Sequence, residues 1–430
     1  MTELVIPGSS GPLTGRLRAP GDKSISHRAV LLAALAEGRS ELRQLSTGDD
    51  VAHSLVAMAA CGAHIEGAAG VGGTITVTGG RARLHEPSAV IDVGNSGTGI
   101  RLLAGWCAGF GWLTVLQGDA SIAARPMGRV VEPLRTMGAL IDGRDNGRLP
   151  PLVVRGGDLT GIDYRLPVAS AQVKTAILLA GLAAEGQTTV REDLPTRAHT
   201  EEMLAACGAD IDVVAGAVTV RRSTLAPFRL DIPADPSQAA FWVVAACIVP
   251  GSDLVLEDTY IGPGRADFLD VLRRMGADIS LEEVDERRKT ADIRARYAPL
   301  HATDVGGAEV PGLIDEIPVL AVAAARAEGV TTFADAAELR VKESDRVASM
   351  VSALHAVGVG VEGRPDGLVV RGNGGRPLGG GAIDTRGDHR VAMALAVAGI
   401  DATGPTVVAG WEAVATSYPG FEEDLRRCVS

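Results

Sequence analysis

The sequence predicts an α/β protein made of six β-α-β-α-β-β repeats and folded as two domains. Three observations carry that expectation. A pattern of short strand, polar loop and apolar helix recurs six times. A second pattern, amphipathic helix, glycine and strand, interleaves with it. The 430 residues exceed what one hydrophobic core ordinarily serves.

The first pattern opens at Leu17-Arg-Ala-Pro-Gly-Asp-Lys-Ser24, whose helix runs from Arg28 to Gly38. It returns at Ile91 to Gly105 and then at Tyr164 to Lys174, with a helix continuing to Gly186. The later copies are Leu230 to Ser237 with a helix to Cys247, Leu313 to Pro318 running to Gly329, and Ile383 to Arg390 running to Gly399. The second pattern has five copies, in the stretches 58–65, 134–141, 204–211, 272–279 and 354–361. Each holds a glycine placed to end a helix in the left-handed conformation, and β-branched alternation such as Thr74-Ile-Thr-Val-Thr78 or Gly367-Leu-Val-Val-Arg371 follows.

Composition narrows the function. A net charge of −12 argues against a nucleic-acid or anionic-membrane surface. The longest apolar stretch, Ala239 to Val249, is too short to span a bilayer, and the N-terminus lacks the basic and apolar regions of a signal peptide, so a cytoplasmic location is expected. Cys61, Cys107, Cys207, Cys247 and Cys428 have no paired spacing and read as small buried residues. No zinc pattern and no nucleotide-binding glycine motif in context is present, so neither metal nor cofactor is called for.

Only Lys23, Lys174, Lys289 and Lys342 among the 41 basic residues are lysine. Three of them sit in polar clusters: Gly21-Asp-Lys-Ser-Ile-Ser-His-Arg28, Ser170-Ala-Gln-Val-Lys174 and Arg340-Val-Lys-Glu-Ser-Asp-Arg346. A compact ammonium can lose a proton where a guanidinium cannot. These lysines are therefore read as kept for an anionic ligand or for proton transfer. The clusters fall where loops feed helix N-termini, whose free N–H groups and positive dipole end suit phosphate or carboxylate. Asp235 and Ser237 read equally well as plain N-caps. Several cations together, as in Lys23, Ser24 and Arg28 or Asp388, His389 and Arg390, exceed what a cap requires.

In this order the motifs resemble the 5-enolpyruvylshikimate-3-phosphate synthase family. The match is carried by Pro20 to Arg28, Gly94-Asn-Ser-Gly-Thr-Gly-Ile-Arg101, Gly118-Asp119 and Arg125-Pro-Met-Gly128. It continues through Ser170-Ala-Gln172, Ile314-Asp-Glu316, Leu339 to Arg346, Asp388-His-Arg390 and Thr416-Ser417, so it spans nearly the whole chain. The resemblance implies the two-domain enolpyruvyl transferase fold, with three βαβαββ repeats around a pseudo-threefold axis in each domain. The domains would be 21–232 and 1–20 with 233–430, with the active site in the interdomain cleft. It further implies transfer of the carboxyvinyl group of phosphoenolpyruvate to the 5-hydroxyl of shikimate 3-phosphate, a step of the shikimate pathway to aromatic amino acids. The two small substrates are its expected partners, without nucleic acid or membrane, and a monomer is the default.

Carried over position by position, the resemblance assigns Lys23, Ser24, Arg28, Ser170, Ala171, Gln172, Arg197, Asp315 and Lys342 to shikimate 3-phosphate. It assigns Lys23, Asn95, Gly97, Arg125, Gln172, Arg346 and Arg390 to phosphoenolpyruvate. Catalytic roles fall to Asp315 as partner of the hydroxyl, Glu343 as proton donor to carbon and Lys23 at the charged intermediate; His389 is a further candidate, against the alternative that it orients its neighbours. The chain departs from the family's common pattern at Ala171, where a second serine is usual, at Leu102, where many members carry proline, and in the tail Ala415-Thr-Ser-Tyr-Pro419, which lacks a lysine. These departures resemble the branch that includes herbicide-tolerant enzymes, yet tolerance there is associated with alanine where this chain has Gly97. The sister transferase acting on UDP-N-acetylglucosamine usually has Lys-Asn and a loop cysteine where this chain has Lys23-Ser24 and Ala120. A related RNA 3′-phosphate cyclase would need a more basic surface. A non-catalytic anion-binding repeat protein would not need Asp315, Glu343 and the motif lysines together.

Overall fold

A helix that protein surrounds on every side is apolar around most of its circumference. In the computed structural model, which describes residues 2–9 and 11–428, every residue of the helix Pro236–Ile248 is buried, as is every residue of Ile317–Arg326 and of His389–Gly399. These three helices touch one another pairwise. Lys23–Leu35, Gly97–Ala108 and Ala171–Gly181 are their counterparts earlier in the chain. Small residues set how closely such helices approach: a Cβ on Gly105 would lie 2.1 Å from the Ala176 carbonyl oxygen. That is why a core can be filled here with 3% aromatic residues.

The chain divides into two compact units, one of residues 1–20 with 233–430 and one of residues 21–232. The 21–232 unit has three four-stranded sheets. Their strand orders are Arg229–Asp231, Gly38–Arg43, Thr74–Gly79, His64–Gly67; Ile91–Asp92, Leu113–Gln117, Leu149–Arg155, Leu140–Gly143; and Asp163–Arg165, Gln187–Arg191, Ala217–Arg221, Ile211–Val214. In each sheet the first pair is parallel and the other two are antiparallel. The other unit repeats the plan in Thr14–Leu17, Asp253–Tyr260, Thr290–Arg296, Asp278–Asp285 and in Asp304–Val305, Val330–Phe333, Gly367–Arg371, Gly360–Arg364. Its third sheet has three strands, Gly381–Asp384, Thr406–Ala409 and the N-terminal Glu3–Ile6. The sixth repeat lacks the helix-glycine-strand pattern, and the N-terminal strand pairs with Thr406–Ala409 where the last strand of the repeat pairs in the other sheets.

The repeat seen in sequence is not everywhere the repeat in space. Thr14–Leu17 precedes the helix Lys23–Leu35 but pairs parallel with Asp253–Tyr260, and Arg229–Asp231 takes the corresponding place beside Gly38–Arg43. The five helix-ending glycines, Gly62, Gly138, Gly208, Gly276 and Gly358, all have φ between 77° and 108°. One expectation fails. Leu313-Ile314 is not a strand: Leu313 ends a short helix, Val310–Leu313, and the strand of that repeat is Asp304–Val305 upstream. A turn of three residues, 314–316, then leads into Ile317–Arg326, with Pro318 in its first turn, where a missing N–H costs nothing.

Candidate active site

The polar loops lie at the N-termini of the core helices, and the cap residues are those of the motifs. Asp22, Ser96 and Ser170 accept from the backbone amides of Ile25, Gly99 and Val173. Asp235, Asp345 and Asp388 accept from those of Ser237, Ala348 and Arg390. Asp235 is therefore an N-cap, as its plainer reading had it, while Ser237 lies inside the helix.

Within residues 21–232 the cap at Asp22 places Lys23, Ser24 and Arg28 on the first turns of one helix. Lys23 forms an ion pair with the buried Asp50. Arg28 donates from Nε to Thr200 Oγ1 (2.7 Å), from Nη2 to Thr175 Oγ1 (2.8 Å) and from Nη1 to the Ser24 carbonyl (2.9 Å). Arg197 reaches Ser24 Oγ at 3.5 Å. The structure thus brings Ser24, Arg28 and Arg197 together.

Asn95, Gly97, Arg125 and Gln172, which the resemblance assigns to phosphoenolpyruvate, gather around the next helix ends. Arg101 donates to the Gly97 carbonyl (3.1 Å), to Gln172 Oε1 (3.0 Å) and to the Pro126 carbonyl (3.3 Å). Gln172 Nε2 donates to Thr98 Oγ1 at 2.9 Å. A Cβ on Gly97 would lie 2.4 Å from Arg125 Nη1, so the missing side chain is what lets Arg125 cross this helix end. Asn95 Nδ2 donates to Asp119 Oδ2 at 2.6 Å, and Asp119 caps the next short helix.

His27, in the same motif as Lys23 and Arg28, is fully buried between Ser54 Oγ (2.8 Å) and Ser96 Oγ (3.4 Å). Burial, and then the charges of Lys23 and Arg28, hold its pKa well below the usual histidine value. It ties the middle of the helix Asp49–Ala60 to the cap at Ser96 as a neutral ring.

Lys174 overturns the reading that it faces a ligand. It is 0% exposed, and its ammonium lies 2.9 Å from Glu192 Oε1 and 2.5 Å from Glu201 Oε1. The sequence placed it in the right cluster, but on the inner face of the helix.

In the other unit, three cations surround one carboxylate. Asp315 Oδ1 lies 3.4 Å from Arg346 Nη1 and 3.8 Å from Lys342 Nζ, and its Oδ2 lies 3.8 Å from Arg390 Nη2. The Asp315 carbonyl also accepts from Arg390 Nη1 at 3.1 Å. Arg346, buried, donates to Glu343 Oε2 and, through Nε, to Asp388 Oδ2 at 2.9 Å. Burial opposes its charge, but Asp388, Glu343 and Asp315 together raise its pKa further. Desolvation lowers the Lys342 pKa, with Asp315 acting in the opposite sense. His389 is buried at the first position of the helix His389–Gly399. Asp315, Lys342, Glu343, Arg346 and Arg390 therefore form one ion cluster, with Asp388 as both helix cap and arginine anchor.

Several participants escape a reading by sequence. Asp50 stands in an acidic pair at a helix start, which the helix dipole alone explains. Thr175 and Thr200 carry no signal of their own. Glu316, beside Asp315, is buried and takes a hydrogen bond from Ser237, whose hydroxyl Arg265 approaches at 3.0 Å.

Comparison with known proteins decides what these clusters belong to. The profile of the EPSP synthase (3-phosphoshikimate 1-carboxyvinyltransferase) family matches residues 8–425. This chain belongs to that family. A 3-phosphoshikimate 1-carboxyvinyltransferase of Pelotomaculum thermopropionicum is 49% identical over 98% of each chain, and one of Gloeobacter violaceus is 50% identical over 96% of each. Among solved structures, an EPSP synthase of Acinetobacter baumannii superposes with a TM-score of 0.88 at 40% identity, covering 100% of this chain and 98% of the other. The enolpyruvyl transferase NikO of Streptomyces tendae shares the fold, with a TM-score of 0.78 at 20% identity over 99% and 97% of the two chains. The enolpyruvyl transferase fold expected from sequence is thus the observed one. The reaction of this chain is carboxyvinyl transfer from phosphoenolpyruvate to shikimate 3-phosphate, in the shikimate pathway. No helix among the described residues is long and apolar enough to cross a membrane.

Proposed function

We propose that the two clusters divide this reaction between them. Arg28, Arg197, Ser24, Ser170 and Gln172, with Ala171 opening the helix, hold shikimate 3-phosphate, together with Lys342. Arg125, Asn95, Gln172 and Arg390 hold phosphoenolpyruvate where Gly97 leaves room. Arg346 contributes mainly by fixing Asp315 and Glu343.

The chemistry is addition followed by elimination. The 5-hydroxyl oxygen bonds to C2 of phosphoenolpyruvate while its proton passes to Asp315. The methylene carbon takes a proton from Glu343. Glu343, now a carboxylate, takes a proton back from the methyl group as the double bond re-forms and the C–O bond to phosphate breaks, and the proton held by Asp315 leaves with the phosphate. Lys23 stabilises the charge that develops in between, and His389 orients its neighbours in the ion cluster. The observation that carries this reading is Asp315, a carboxylate fixed among three cations at the start of a core helix.

Phosphate release from phosphoenolpyruvate, with and without shikimate 3-phosphate, tests it on the wild type and on Lys23→Ala. Release that requires both substrates and collapses in the variant is expected. Activity with UDP-N-acetylglucosamine instead would contradict it. Glyphosate is expected to compete with phosphoenolpyruvate, because residue 97 is glycine; an inhibition constant far above the phosphoenolpyruvate KM would contradict that expectation. We take the protein to act as a cytoplasmic monomer.

A further inference from the structure

Lys174 is a cation that the reaction does not use. It lies one turn beyond Ser170 and two residues beyond Gln172, on the helix Ala171–Gly181, and its two carboxylate partners come from elsewhere in the same unit. Glu192 follows the strand Gln187–Arg191, and Glu201 is on the helix His199–Ala206. Between them runs the segment that carries Arg197.

The ties around this lysine are consecutive. Glu192 Oε2 accepts from the amide and hydroxyl of Thr196 at 3.2 and 2.7 Å, next to Arg197. Glu201 follows Thr200, and Lys174 precedes Thr175. The hydroxyls of Thr175 and Thr200 lie 2.6 Å apart, and both accept from Arg28. One buried ammonium therefore sits behind both arginines assigned to shikimate 3-phosphate. It holds Thr196 through Glu192, and so the backbone at Arg197. It also fixes Thr200 against Thr175, and so the grip on Arg28.

The geometry points to Lys174, with Glu192 and Glu201, as a positioning residue for shikimate 3-phosphate. The inference rests on the assignment of Arg28 and Arg197 to that substrate. A merely structural lysine would affect stability and all kinetic constants together. A positioning lysine separates them, because a buried ion triad exchanged for groups of similar size without net charge can keep or raise stability.

The test uses the variant Lys174→Met/Glu192→Gln/Glu201→Gln, with Thr196→Val and Arg197→Ala beside it. Thermal unfolding and steady-state kinetics are measured with each substrate varied in turn. The triple variant is expected to unfold no earlier than wild type and to raise the KM for shikimate 3-phosphate about tenfold, the size of one weakened charge-assisted hydrogen bond. The KM for phosphoenolpyruvate should stay within about twofold and kcat within about threefold. Thr196→Val, which removes no charge, should raise the same KM about threefold.

A folded triple variant with an unchanged KM for shikimate 3-phosphate overturns the inference. So does one in which both KM values and kcat shift together. If the triple variant does not fold, Thr196→Val decides by the same criterion. An Arg197→Ala variant that binds shikimate 3-phosphate as wild type does overturns the assignment of Arg197, and this inference with it.

Discussion

Arg28 and Arg346 are both buried arginines in the first turns of a helix, yet their partners differ in kind. Arg28, in the 21–232 unit, donates to two threonine hydroxyls and a backbone carbonyl. Arg346, in the other unit, donates to the carboxylates of Glu343, Asp388 and Asp315. Hydroxyl and carbonyl partners fix the plane of a guanidinium, as the holding of an anion requires. Carboxylate partners reverse the roles, so that the arginine serves to hold the acids. On our proposal, one repeated device, a capped helix end with a cation on it, serves substrate binding in one unit and proton transfer in the other.

The largest effect that could break this comparison is at Asp315. Asp315→Asn should lower kcat about a thousandfold, within the range of a lost general base, and leave the KM for phosphoenolpyruvate nearly unchanged in steady-state assays. Next, Arg28→Lys keeps the charge but loses the planar fork that Thr175 and Thr200 orient. The KM for shikimate 3-phosphate should rise about a hundredfold with a much smaller change in kcat.

Gly97→Ala is milder. Its Cβ would meet the tip of Arg125, a flexible side chain that can move aside. The KM for phosphoenolpyruvate should rise about tenfold, and calorimetry should show an unchanged melting temperature.

The smallest effect concerns His27, neutral beside Lys23 and Arg28. Its folded pKa lies well below the unfolded value of 6.5, so the unfolded chain binds a proton that the folded protein refuses. Stability should fall as pH drops below about 6.5, by roughly 1.4 kcal/mol per pH unit from this group, and be unaffected by it above. Chemical denaturation at pH 5 and 7 should show the acid loss reduced in His27→Asn.

The fold was readable wherever backbone chemistry repeats. Gly62, Gly138, Gly208, Gly276 and Gly358 mark five helix ends because only a left-handed residue closes them without strain. Apolar helices such as Pro236–Ile248 announced the buried core. Exchange of the leading strand between sheets was not legible from the repeat itself, since Thr14–Leu17 and Arg229–Asp231 are equivalent strands and nothing local says which sheet each joins. Leu313-Ile314 read as a strand because a short apolar pair cannot by itself distinguish strand from helix.

At the helix ends, the polar motifs singled out Lys23, Arg28 and Arg390 and the resemblance singled out Asp315, but neither said which side of a helix each cation takes. Lys174 turns inward, and only the distant Glu192 and Glu201 reveal it. The hydroxyls of Thr175 and Thr200 were invisible for the same reason, since their role exists only through Arg28.

The most direct measurement is calorimetric binding of shikimate 3-phosphate alongside single-turnover phosphate release, on Arg28→Lys and Asp315→Asn. If the two clusters divide binding from proton transfer, Arg28→Lys loses affinity about a hundredfold while turning over what it binds. Asp315→Asn should then bind within about fivefold of wild type and release phosphate about a thousandfold more slowly. Both variants failing in the same parameter, whether affinity or rate, would contradict the division.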